Sequence, residues 1–187
     1  MKALKSTMMA GLLAAVSVPA MAMDLAGFKK LANDTIKQMD MGVVGDIDAL
    51  IAAQEQMIVI GMEGGVEYLR NNPKINGKPL QVTILSAEKM KNMTLAEIET
   101  KWHEGEYLAA RGIDKDKIDH FGPLMSLMDT VIHPATSYIA LKEYKKTGNA
   151  ELLQRVKAEL VEVVVHVEQI TPEQIAGTAP VQLASDH

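Results

Sequence analysis

The chain has 187 residues with a net charge of −5, no cysteine and 48% hydrophobic residues. This length suits one domain with a sizeable core. The negative charge and the lack of a basic cluster exclude nucleic acid as a partner, because nucleic-acid binding needs a cationic surface. The absence of cysteine excludes disulfides, thiolate metal sites and cysteine nucleophiles.

The N-terminal segment has the three parts of a bacterial secretory signal. Lys2 and Lys5 supply positive charge, residues 8–18 are almost entirely apolar, and Ala20-Met21-Ala22 forms an A-x-A cleavage site. The apolar stretch is shorter than the roughly 20 residues that span a bilayer, and no later segment is long and apolar enough to do so. We therefore expect residues 1–22 to be a cleavable signal peptide, removed near Ala22, and the mature chain to lie in the periplasm or to be secreted.

The mature sequence predicts a mainly α fold, a single-domain helical bundle of five or six helices over residues 23–176 with a flexible tail over 177–187. Asp24 and Asp46 are candidate N-caps of the first two helices. Gly64-Gly65 indicates a break or bend at the end of the second.

One short segment predicts a strand. Residues 81–85 read Gln-Val-Thr-Ile-Leu, rich in β-branched residues and bounded by turn residues. Asn76-Gly77 before it is typical of a hairpin turn. We therefore expect a minor strand or hairpin near residues 74–85, packed on the helices.

The second half of the chain predicts three more helices. Thr94 and Glu97 form a capping box that starts a helix ending near Arg111. Gly122-Pro123 opens the next helix, which Pro134 is expected to kink or split near His133. A tight turn at Gly148-Asn149 leads into a last helix over residues 150–170, which must lie antiparallel to its predecessor.

Three acid–histidine pairs stand four residues apart, and residues at this spacing share a helix face. The pairs are Glu99–His103, Asp129–His133 and Glu162–His166. Imidazole and carboxylate are ligands for transition metals, so the pairs predict a metal site, whereas ordinary surface ion pairs are the alternative interpretation. His133 points away from its apolar stripe and is expected to be solvated. The predicted ligands are therefore His103, His166, Glu99 and Glu162.

Methionine offers a second metal hypothesis. Three short spacings resemble thioether sets that bind Cu(I): Met39-x-Met41, Met90-x-x-Met93 and Met125-x-x-Met128. The alternative is core packing, since several of these residues fit the helical stripes and a flexible thioether fills irregular gaps. Met90 and Met93 are expected in a loop.

A third candidate site is a ligand pocket around Trp102, His103 and Tyr107. Aromatic walls with a few polar groups are typical of small-ligand sites. Trp102 also fits the apolar stripe that begins at Leu95, so a core position is the alternative.

Two functions follow from these patterns. Since no catalytic motif is present, the first is a non-enzymatic exported protein that binds a small ligand or a protein partner through a helical surface rich in Met and Val; a homo-oligomer is one form of such a partner. The alternative is a periplasmic metal-binding protein or metalloenzyme that uses the acid–histidine pairs or the methionine clusters, with a transition metal as its cofactor.

Overall fold

A computed structural model describes residues 23–41 and 45–178. The predicted signal peptide and nearly all of the predicted tail lie outside these residues. The described chain is mainly helical, with a π-helical turn at Glu99–His103 and a 3₁₀ turn at Lys115–Lys117. Its α-helices are α1 (Leu25–Asp40), α2 (Ile47–Asn71), α3 (Lys78–Met90), α4 (Leu95–Ile98), α5 (Glu106–Ala109), α6 (Pro123–Thr147), α7 (Glu151–Glu168) and α8 (Pro172–Ile175).

The predicted capping residues start and end the helices as expected. The Asp24 carboxylate accepts from the Gly27 amide, and the Asp46 carboxylate accepts from the first amides of α2. Thr94 and Glu97 form the complete capping box. Gly148 ends α6 in the left-handed region (φ 68°), which a residue without Cβ adopts at little cost.

The long helix α6 lies at the centre of the bundle. It packs against α2, α3 and α7, while α1 contacts α7 and α2. Every residue of α6 from Met125 to Ser137 is buried, including the polar ones. A helix enclosed on all faces must satisfy its polar side chains within the protein, and this requirement determines the site described below. No helix in the two described ranges is long and apolar enough to cross a membrane.

The predicted strand at residues 81–85 is wrong, because these residues lie inside α3. Pro79 stands in the first turn of α3, and the Thr83 hydroxyl donates to its carbonyl oxygen at 3.0 Å. Buried residues recur at helical spacing along this segment: Leu80, Thr83, Ala87 and Met90. Burial of this face outweighs the weak strand preference of the β-branched residues.

The helix boundaries differ from the sequence prediction in three further places. The single helix expected from residue 95 to Arg111 is divided into α4, the π-helical turn and α5, with Gly105 at φ 84° between the last two. α2 continues through Gly64-Gly65, and α6 is not split at Pro134. The predicted count of five or six helices is therefore not confirmed, although the mainly helical fold is.

A glycine allows the backbones of α2 and α6 to approach each other. A Cβ on Gly61 would lie 2.7 Å from the carbonyl oxygen of Thr130 and 2.6 Å from its hydroxyl. These are backbone and branched side-chain atoms of the central helix, next to Asp129. A larger residue at this position would move α6 and the polar groups that it carries.

We expect Gly61→Ala to lower the free energy of unfolding relative to Gly64→Ala by about 1–3 kcal/mol, the usual cost of overpacking. Both substitutions gain the same helix propensity, but the three atoms nearest to a Cβ on Gly64 all belong to the flexible side chain of Met23, whereas those at Gly61 include the backbone of Thr130. Urea unfolding of both variants measures the difference. Equal stabilities would contradict the close approach of α2 and α6.

Candidate metal centre

A cluster of ionisable side chains lies inside the bundle. α6 contributes Asp129 and His133, α7 contributes Glu159 and His166, and the π-helical turn contributes His103. The four residues on α6 and α7 are buried, and His103 is partly exposed. We call these five residues the histidine–carboxylate cluster.

His133 lies at the centre of the cluster, which corrects the prediction that it is solvated. It is 3% exposed. Its Nδ1 lies 2.8 Å from Oε2 of Glu159, and its Nε2 lies 3.9 Å from Oδ1 of Asp129. The prediction failed because it assumed one apolar stripe on a helix that is in fact buried on every face.

His166 reaches the same centre from α7. Its Nε2 lies 3.3 Å from Oδ2 of Asp129, and its ring stacks near that of His133 with 6.1 Å between centroids. Among the described residues, the buried Nδ1 of His166 has no hydrogen-bond partner. No described hydrogen bond therefore fixes which nitrogen of this ring carries the proton.

His103 lies on the other side of His133. Its Nε2 lies 3.0 Å from the Thr136 hydroxyl and 3.6 Å from Oε2 of Glu159. The Thr136 hydroxyl donates to the carbonyl oxygen of Ile132, so it accepts from the Nε2–H of His103. The π-helical turn thus holds this imidazole against α6 and beside Glu159.

Two basic side chains approach this end of the cluster. Arg155 pairs with Glu99, and its Nε lies 3.4 Å from Oε1 of Glu159. The ammonium of Lys115 donates to the carbonyl oxygen of His103 at 2.6 Å. The end near His103 is therefore less negative than the end at Asp129.

Burial shifts the pKa values of the cluster toward the neutral forms. It raises the pKa of Asp129 to about 7, and it lowers the pKa values of His133 and His166 to about 4. It also lowers the pKa of His103 and raises that of Glu159. Each shift follows from the cost of placing a charge in a low-dielectric interior without a full counter-charge.

The cluster contains two groups of three potential metal ligands that share His133. One group is Asp129, His133 and His166, and the other is His103, His133 and Glu159. Within each group the ligand atoms lie within 4.8 Å of one another. Ligands of a tetrahedral zinc ion are about 3.4 Å apart, so each group needs only small movements to surround a cation.

The structure brings together two of the four predicted metal ligands. His103 and His166 both belong to the cluster. Glu99 pairs with Arg155, and Glu162 is exposed on α7, so neither belongs to the two groups of three. The predicted acid–histidine pair along α6 is retained, since Nε2 of His133 lies 3.9 Å from Oδ1 of Asp129. The other contacts form between helices, where His166 meets Asp129 and His133 meets Glu159.

Asp129, His133 and Glu159 are the cluster residues that the sequence analysis did not select. A signal for the first two was present: from Pro123 to Leu141 they are the only ionisable side chains apart from Tyr138. Two ionisable residues four apart in so apolar a helix are typical of a buried polar site. Glu159 carried no such signal.

The residues of the predicted ligand pocket are divided between the cluster and the core. Trp102 is fully buried, and its ring lies 4.7 Å from that of Tyr107. The guanidinium of Arg111 covers the Tyr107 ring at 3.5 Å. The imidazole of His103 instead points into the cluster. It therefore does not line a common pocket with the indole of Trp102.

The methionines of the predicted thioether sets are mostly core residues. Four are buried: Met39, Met90, Met125 and Met128. Met90 ends α3 instead of lying in a loop, and Met41 is 56% exposed. Their positions agree with the packing interpretation, in which thioethers fill gaps between helices.

Comparison of the chain with known protein families, curated proteins and solved structures gave no significant match. The histidine–carboxylate cluster is therefore interpreted from its own geometry.

We expect His133 and His166 of the metal-free protein to stay neutral until the pH falls to about 4. Both groups bind protons more weakly in the folded state, so the stability that they contribute is lost as the pH falls from about 6.5 toward 4. Titration of the imidazole resonances by NMR measures both midpoints, with the urea-unfolded chain as control. Folded-state midpoints near 6.5 would contradict burial of these rings.

Proposed function

We propose that the chain is an exported metal-binding protein that holds a divalent transition-metal ion, such as zinc, at Asp129, His133 and His166. The observation that carries the proposal is the convergence of these three side chains from α6 and α7 inside the bundle. Imidazole nitrogen and carboxylate oxygen are the ligand types that zinc and its neighbours in the first transition row accept.

The charge of the cluster supports a cation at this position. Two carboxylates, Asp129 and Glu159, are buried together with histidines whose lowered pKa values keep them neutral. Ionising both carboxylates places two negative charges in the same cluster. Of these two carboxylates, Arg155 contacts that of Glu159 but not that of Asp129. A divalent cation between the ligands neutralises them and removes the desolvation cost that otherwise protonates Asp129.

The hydrogen bond from His133 to Glu159 supports the same position. When Glu159 is ionised it accepts from the Nδ1–H of His133, which leaves the Nε2 lone pair directed toward Asp129 and His166. A carboxylate that orients a metal-binding histidine in this way is a regular feature of metal sites. Glu159 therefore acts as the positioning residue of the Asp129 group.

A second candidate function is the binding or accessory protein predicted from the apolar surface. Val161 and Val165 on α7 are 46% and 45% exposed, and this observation supports docking of a partner or a second copy. The metal-binding proposal has the stronger support, because it rests on five side chains that converge.

The proposal is tested by metal titration of the untagged protein. We expect one zinc ion to bind tightly and Asp129→Asn to weaken binding by more than about 100-fold, because loss of a ligand exceeds the usual effect of losing an orienting partner. Glu162→Gln is the matched control: it also replaces a carboxylate four residues from a histidine, but this carboxylate is exposed. Isothermal calorimetry and elemental analysis measure both variants.

Zinc should also raise the melting temperature of the wild-type protein, with an added stability of about 2.7 kcal/mol at a free concentration 100 times the dissociation constant. Failure of zinc, copper, nickel and manganese to bind the folded protein would refute the proposal. Equal loss in Asp129→Asn and Glu162→Gln would refute the assignment of Asp129 as the ligand.

The pH dependence of binding gives a separate prediction. Metal binding requires ionised Asp129, whose pKa is about 7 in the metal-free protein, whereas His133 and His166 compete for protons only near pH 4. A proton therefore competes with the metal below pH 7, and we expect the affinity to fall about tenfold per pH unit between pH 7 and 5. Calorimetry at four pH values measures this slope. An affinity that is constant over this range would contradict it.

A further inference from the structure

We propose that the cluster binds two metal ions, and that the imidazole of His133 bridges them. The inference rests on the proposed function, which supplies the first ion at Asp129, His133 and His166. The second ion is a divalent cation of the same class, held by the Nδ1 of His133, the Nε2 of His103 and Oε2 of Glu159.

The two nitrogens of the His133 ring face different carboxylates. The Nδ1 of His133 faces Oε2 of Glu159 at 2.8 Å, whereas its Nε2 faces Oδ1 of Asp129 at 3.9 Å. The lone pairs of the two nitrogens diverge in the ring plane, so one ion cannot contact both. The two groups of three ligands are therefore two separate positions on opposite sides of one imidazole.

The second position has its remaining ligands in place. The Nε2 of His103 lies 3.6 Å from Oε2 of Glu159, and the rings of His103 and His133 are 5.2 Å apart at an edge-to-face angle. Adjacent ligands of an ion with bonds of about 2.1 Å are about 3.0–3.4 Å apart, so these ligand atoms are already near the required separation.

The order of binding follows from the charges. Arg155 lies 3.4 Å from Oε1 of Glu159, a ligand of the second position, and among the described residues it contacts no ligand of the first position. The side chain of His103 is 19% exposed, against 2–3% for His166 and His133, which gives the second ion a route from solvent. We therefore expect the Asp129 position to fill first and the His103 position to fill second with lower affinity.

The second binding step exchanges one proton for one cation. With one ion bound, Nδ1–H of His133 donates to Glu159, and Nε2–H of His103 donates to Thr136. When the second ion binds, the N–H bond of His133 breaks, its electron pair forms the bond from Nδ1 to the metal, and the proton leaves to solvent. His103 changes tautomer: its Nε2 gives a proton to solvent and its Nδ1 takes one up, so Nε2 offers its lone pair to the metal and the net release stays one proton. The ring becomes an imidazolate shared by two cations, and neither metal changes its oxidation state.

Copper(II) is the probe that separates a bridged pair from two independent ions. We expect two copper ions to bind per chain, the second with release of one proton, measured by calorimetry in buffers of different ionisation enthalpy. Exchange through the imidazolate should make the integrated electron paramagnetic resonance signal of the doubly loaded protein much smaller than its copper content. Protonation of the bridge at acid pH should restore the signal as the second ion leaves.

Single substitutions in the cluster show which ligand group binds each copper ion. His103→Gln should reduce the stoichiometry from two copper ions to one and give the full resonance signal of a single ion. Glu159→Gln should have the same effect, and it should also lower the affinity for the first ion about 10- to 100-fold because His133 loses its orienting partner. Glu162→Gln, the control, should keep two coupled ions. Circular dichroism establishes that each variant is folded.

The wild-type measurement alone decides between the outcomes if a variant does not fold. One ion per chain would overturn the bridge and leave the proposed function intact, whereas no ion would overturn both. Two ions with a full, uncoupled signal would show independent sites and would also overturn the bridge.

Discussion

The contact between His133 and Glu159 joins the two most important helices of the site, α6 and α7, and the rest of the cluster depends on it. Both side chains are buried, so each requires a partner inside the protein. Their 2.8 Å contact fixes the orientation of the His133 ring, and this orientation directs Nε2 to Asp129. Without it, the three histidines would have no common centre.

The packing around α6 explains why this contact is buried and central. α2 approaches at Gly61, α3 and α7 cover the other sides, and the middle of α6 is enclosed from Met125 to Ser137. Polar side chains on such a helix are costly unless every group is satisfied. In this network the Nδ1 of His166 has no hydrogen-bond partner among the described residues, and burial raises the pKa of Asp129 to about 7.

Local signals predicted the helical fold better than the site. Capping at Asp24, Asp46 and Thr94 depends on neighbours in sequence, and these positions were correct. Residues 81–85 were misassigned because burial of one face of α3 outweighs intrinsic preference. The site pairs residues 26 apart (His133 with Glu159) and 37 apart (Asp129 with His166). The tight turn at Gly148-Asn149 predicted that α6 and α7 are antiparallel neighbours, but it did not predict which side chains face each other across them.

Stability alone does not account for the cluster. Buried ion pairs can often be replaced by well-packed apolar side chains without loss of stability, and from Pro123 to Leu141 the sequence of α6 has no ionisable residue besides Asp129, His133 and Tyr138. Five ionisable groups at its contact with α7 and the π-helical turn therefore indicate a function. Three imidazoles and two carboxylates form a set rich in acceptor atoms, and in the function that we propose a cation binds these acceptors.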